Sequence, residues 1–139
     1  MMTVIYLKDK SESFQKFKWY LARVEKETRK NLKCLRSDRG GEFTSNEFNE
    51  FSIEKGIKRQ VSAPGTPQKN VIAERRKISI MDCARTLMIE KNIAIKYWKE
   101  AISTAFHTLN RVQLKKDSFK TPYELWYGYK PNVSYLKVF

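Results

Sequence analysis

The chain has 139 residues, 41% of them hydrophobic, and its 28 Lys and Arg against 15 Asp and Glu give a formal net charge of +13. That is a single domain's length at most, with enough apolar material for a core, so wholesale disorder is excluded. Charged residues interrupt every apolar stretch well before the roughly 18 residues of a membrane span, and two cysteines with one histidine are too few for a disulfide scaffold or a usual zinc site.

The start, Met1 to Lys8, has no basic leader and no small-residue cleavage site, so an intracellular protein is expected. Val4–Leu7 is a short β-prone run and predicts a strand. Ser11 offers a helix N-cap with Glu12 in the first turn. Phe14, Phe17, Leu21 and Val24 then form one apolar stripe of a helix to about Thr28. Residues 32–37 predict a second strand, ended by Asp38-Arg39-Gly40-Gly41-Glu42, where two glycines force a turn. Thr44 or Ser45 caps a helix carrying Phe48 and Phe51, with Gly56 at its C′ position, and residues 57–61 follow as a further strand.

Residues 62–70, with two prolines and a glycine, read as a loop. The helix behind it shows Ile80, Met81, Ala84, Leu87 and Met88 on one face, and Asn92 breaks it. A further helix from about Lys96 carries Trp98, Ala101, Ile102, Ala105 and Leu109. Thr121-Pro122-Tyr123-Glu124 is a helix start in miniature, with an N-cap Thr, Pro at N1 and Glu at N3, and Gly128 and Pro131 close that helix. The order is α/β with a helical C-terminal third.

The basic excess is +6 over residues 1–70 and +7 over residues 71–139, so it is spread through the chain rather than packed into a tail. Polyanions are the common partner of such a surface, although a solvated lysine-rich face has the same composition. Asp38 stands where a strand meets a glycine turn, a place where α/β proteins put functional side chains and where aspartate also simply forms turns. Glu74 stands in the first turn of a helix, where the dipole favours a carboxylate in any case. Together they say more. If the strand at 57–61 returns beside residues 32–37, the chain can carry Glu74 back toward the end of the Asp38 strand. Two converging carboxylates suit hard divalent cations, which take oxygen ligands and can run phosphoryl transfer. Trp98, Trp126 and His107 read as packed residues.

Several ordered blocks resemble the copia-type retrotransposon integrase family, a segment of Pol polyproteins. Leu35 to Phe43 resembles its Asp followed by Asn-Gly-Gly-Glu, and Ala63 to Arg75 its loop-and-helix block with the catalytic Glu. Trp98-Lys99-Glu100-Ala101, Leu109-Asn110-Arg111, Thr121 to Trp126 and Lys130-Pro131 through Phe139 match in the same order. The resemblance implies an RNase H-like fold and a DDE site of two Asp and one Glu holding Mg²⁺ or Mn²⁺. Asp38 would be the second Asp and Glu74 the Glu, both catalytic and metal-binding. Gln68, Lys69, Asn70, Arg75, Arg76 and Lys77 would face DNA, although loop hydrogen bonds and a solvated helix face would use the same residues.

Val4–Leu7 resembles the family's third strand, so the core is expected to be incomplete, without its first two strands and the first Asp; Asp9 is no substitute. Arg39 stands for an Asn, Gly65 for an aromatic and Val71 for a Gly. The expected organisation is a partial catalytic core over 1–110 and an extension of it over 111–139. The function implied is DNA binding and integration, with catalysis lost for want of the first Asp. A non-catalytic, transposon-derived nucleic-acid-binding protein is the alternative. DNA and further copies of the chain are the partners implied, no membrane is, and the nucleus is the compartment.

Overall fold

The computed structural model describes residues 1–37, 40–61, 71–115 and 118–136, with the backbone alone for Glu42, Val71 and Ile72. They form two compact units, Ile5–Ile72 and Met1–Val4 with Ala73–Phe139.

In the first unit a 3-10 turn at Lys10–Glu12 leads into helix α1, Ser13–Thr28. The predicted Ser11 cap of the helix does not form: Glu12 is the N-cap of α1, without a side-chain cap bond, and the side-chain cap belongs to the 3-10 turn, where the Asp9 carboxylate accepts from the Ser11 N–H at 2.8 Å. The chain already turns at Lys10, so the orphan N–H groups begin one residue after Asp9 and a side chain there reaches them. Leu21 of the apolar stripe is buried, and Phe14, Phe17 and Val24 are half-buried. Strand β1 is Cys34–Ser37, helix α2 is Asn46–Glu54 and strand β2 is Lys58–Val61. Ser45 is the cap of α2, its hydroxyl accepting from the Phe48 N–H at 3.3 Å. Gly56, at φ 63°, supplies the left-handed residue that ends α2.

With α2 as the crossover, β2 returns parallel to β1 in the register Cys34↔Lys58 to Ser37↔Val61. One register pair is reinforced by side chains, Arg36 donating to Gln60 Oε1 at 2.9 and 3.2 Å. The centre of this unit is Phe48, fully buried, with the rings of Phe17, Phe14 and Phe43 at 5.1, 5.4 and 5.5 Å. The Arg59 guanidinium lies 4.9 Å from the Phe48 ring centre and donates to the Phe43 carbonyl and to Asn49.

The second unit is helical. Helix α3 is Val71–Glu90, helix α4 is Trp98–Val112 and helix α5 is Pro122–Tyr127. Asn92, in the left-handed region at φ 46°, breaks the chain after α3, a conformation asparagine tolerates better than most residues. Ile80, Ala84 and Met88 of α3 and Ala101, Ile102 and Ala105 of α4 make one buried cluster, with Trp98 and Leu109 against it. The capping box of α5 is complete: Thr121 Oγ1 accepts from the Glu124 N–H at 3.2 Å, and Glu124 Oε2 accepts from the Thr121 N–H at 2.7 Å. The Thr121 backbone N–H first, and then the Thr121 hydroxyl, hold the Glu124 carboxyl below its ordinary range.

One predicted element does not form. Val4–Leu7 is not a strand. Val4 and Met2 pack against the α3/α4 cluster, and the Asn110 side-chain amide clamps the Met2 backbone, accepting from its N–H at 2.8 Å and donating to its carbonyl at 2.7 Å. A β-prone run becomes a strand when a ladder partner is beside it; here apolar helix surface takes the Val4 side chain, and Tyr6 and Leu7 stay exposed. Among the described residues no helix is long and apolar enough to cross a membrane.

Candidate carboxylate site and nucleic-acid interface

The sheet sets the geometry. Ser37 and Val61 end their strands and are register partners, so the chain leaves β1 and β2 at the same end of the parallel pair. Functional side chains of parallel sheets gather at such carboxyl ends. Asp38 is the next residue after β1, and residues 62–70 follow β2. Asp38, Arg39, Gly65, Gln68, Lys69 and Asn70 lie outside the described residues.

Helix α3 presents the other half of the predicted set. Glu74 is in its first turn with an exposed carboxylate, which the helix dipole favours there. Arg75 and Lys77 are exposed as well. Arg76 differs, being half-buried and donating to Gln113 Oε1. It also lines a cavity of about 310 Å³ with Lys115, Pro122, Leu125 and Trp126. The local sequence did not single out Gln113, because its partner is 37 residues away. Among the described residues no three His, Cys, Asp or Glu side chains gather as a metal site. Glu74 nonetheless offers the hard, solvent-open oxygen donor that Mg²⁺ or Mn²⁺ takes.

His107 is half-buried on α4, its ring against that of Tyr135. Its Nε2 lies 3.1 Å from the Tyr135 hydroxyl, and burial, then the Arg111 charge, hold its pKa below the ordinary 6.5. The unfolded chain therefore takes up the His107 proton first as pH falls, so the stabilising effect of a neutral His107 is present above 6.5 and is lost below it. Melting temperature is expected to fall between about pH 7 and about pH 5, and His107→Gln is expected to flatten that part of the profile. An unchanged slope in the variant would assign it to another group.

No family model matches the chain. Over 136 residues, 98% of its length, it is 40% identical to the retrovirus-related Pol polyprotein from transposon TNT 1-94 of Nicotiana tabacum, of which it covers 10%. Over 133 residues, 96% of its length, it is 31% identical to the retrovirus-related Pol polyprotein from transposon RE2 of Arabidopsis thaliana, of which it covers 9%. The chain thus spans about a tenth of the length of these relatives. Among solved structures it is similar to the HTLV-2 integrase catalytic core domain in complex with magnesium, in its trimeric form, at a TM-score of 0.61 and 22% identity, covering 86% of this chain and 71% of that one. This likeness shows the fold: the helices and parallel pair described above are those of an RNase H-like integrase core.

Proposed function

We propose, for a chain that belongs to the integrase-core segment of the retrovirus-related Pol polyproteins of transposons, that it binds DNA and contributes Asp38 and Glu74 to a divalent-metal site for phosphoryl transfer on that DNA. The observation that supports the reading is the shared end of β1 and β2, with Asp38 the next residue in sequence after one strand and the Glu74 helix following the other through residues 62–70. Asp38 and Glu74 would hold Mg²⁺ or Mn²⁺, and magnesium is present in the similar HTLV-2 core. When bound, the ion supplies polarisation of the phosphate and neutralises charge developing on its oxygens.

The remaining roles belong to the chain's own cations and amides. Arg75 and Lys77 are exposed beside Glu74 and would grip DNA phosphates, which fixes the duplex without reading its sequence. Gln68, Lys69 and Asn70 precede the same helix and would contact the same DNA. Arg76, bonded to Gln113, would set the direction of the first turns of α3 and add charge. Copies of the chain would associate, and its DNA would be met in the nucleus.

These 139 residues hold two of the three carboxylates that the family resemblance implies. The expected behaviour of this chain is therefore binding without joining. Incubated with Mn²⁺ and a labelled DNA end, it is expected to show no joining above a Glu74→Ala control, while both proteins bind duplex. Mn²⁺ binding, read by paramagnetic broadening, is expected to weaken in Glu74→Gln. Joining that depends on Glu74 would overturn the expected inactivity, and Mn²⁺ binding indifferent to Glu74 would remove that residue from the site.

A further inference from the structure

Four of the seven tyrosines, Tyr123, Tyr127, Tyr129 and Tyr135, fall within 13 residues near the C-terminal end. Tyr123 and Tyr127 are one turn apart on α5 and so share a face. Gly128, at φ 82°, reverses the chain and brings Tyr129 to the same face. The ring centres of Tyr123 lie 4.6 Å from Tyr127 and 5.7 Å from Tyr129, and Tyr127 lies 6.0 Å from Tyr129. A 3.1 Å hydrogen bond joins the Tyr123 and Tyr129 hydroxyls, and the Arg111 guanidinium sits 4.7 Å over the Tyr123 ring. Nearby, Tyr135 is held by His107.

A cluster of rings this size ordinarily belongs to a core. Here Tyr129 is 60%, Tyr135 55% and Tyr127 37% exposed. The cluster is thus ordered by internal contacts and still open to solvent, which lowers the entropy cost of binding something flat. Its charge is one-sided. Residues 111–136 carry five basic side chains against two acidic ones, and one of those two, Glu124, is taken up by the capping box. Lys120 and Lys130 are close enough to act on the Glu124 carboxyl.

We propose that this surface is a stacking platform for the unpaired bases of single-stranded nucleic acid. The exposed Tyr127 and Tyr129 rings take base faces, and Arg111, Lys120 and Lys130 take the phosphates that follow them. Aromatic rings beside cations suit a strand whose bases are free to turn outward, because every base has a stackable face. A duplex has its base faces covered already. A proline-rich peptide would also use aromatic rings but has no charge to answer these cations. The proposal does not rest on the carboxylate site.

The test uses the full chain and fluorescence anisotropy, with three labelled probes of equal phosphate number: an oligodeoxythymidine strand, the same strand without bases, and a duplex. The thymidine strand is expected to bind about tenfold more tightly than the abasic one. Tyr129→Ala, checked for fold by circular dichroism, is expected to lose about that factor on the thymidine strand alone, and Tyr129→Phe to retain it. Glu74→Ala is expected to leave the preference untouched, which separates this proposal from the carboxylate reading. Equal binding of the thymidine and abasic strands would overturn it. So would a preference for duplex that ignores Tyr129→Ala, and the probe comparison decides the matter even if that variant fails to fold.

Discussion

Raising the salt concentration from about 50 to about 200 mM is expected to weaken binding of duplex DNA by this chain about a thousandfold. The net charge of +13 is divided almost evenly between the two halves of the sequence, so a DNA surface meets cations over much of its footprint. If fewer than half of those charges engage, about six phosphate contacts form, and each contributes about 0.9 to the slope of log affinity against log salt. Condensed cations released from the DNA supply the driving force, and added salt removes it. Lys77→Gln is expected to reduce the slope by about one and to weaken all sequences alike. Titration by anisotropy at four salt concentrations measures both. An affinity that stays flat over this range would show that phosphate neutralisation is not how the chain holds DNA.

Phe48→Ala is expected to cost about 3–5 kcal/mol in the unit formed by residues 5–72. Phe48 is fully buried, and three further rings and the Arg59 guanidinium close over it. Removing the ring leaves a cavity that α1 and α2 cannot both fill without shifting the strands that α2 connects. Whole domains are stable by only about 5–15 kcal/mol, so this unit would sit near its threshold at room temperature. Phe51→Ala, at a half-buried position edge-on to Phe14 and Phe17, is expected to cost less. Urea unfolding followed by circular dichroism separates the two variants. A Phe48→Ala midpoint equal to the parent's would show that the rings are not the core of this unit.

The helices were legible in the sequence because each carries its own evidence. Apolar spacing marked α1, α3 and α4, and the side chains at 45, 56, 121, 124 and 128 marked where helices begin and end. These are local effects, settled within one or two turns of backbone. The same holds for β1 and β2, which lie within the predicted 32–37 and 57–61. Local reasoning erred at the entry to α1, where the chain makes a 3-10 turn capped by Asp9 before the helix begins and Ser11 caps nothing.

The candidate site was legible in part for a different reason. Asp38 and Glu74 stood out through turn and helix-start chemistry and through the ordered family blocks, none of which requires coordinates. Glu74 lies in the first turn of α3, as the helix-start reading expects. What Arg76 does was not legible: three consecutive cations look alike in sequence, and the Gln113 side chain distinguishes the middle one.

By itself, then, the sequence determined the helices and the caps of α2 and α5, the strand pair as candidates, the basic excess and the family. Each follows from short-range hydrogen bonding, apolar periodicity or summed charge. Tertiary structure alone decided that β2 lies parallel to β1 in its particular register, that Phe48 is the residue enclosed, and that Asn110 holds the Met2 backbone. It also decided that Val4–Leu7 forms no strand and that Tyr123, Tyr127 and Tyr129 share one open surface. The reason is common to all of these: a ladder partner, a buried cavity or a clamped backbone group is supplied by a residue elsewhere in the fold, and β-propensity or ring count along the chain carries no record of which surface will be there to meet it.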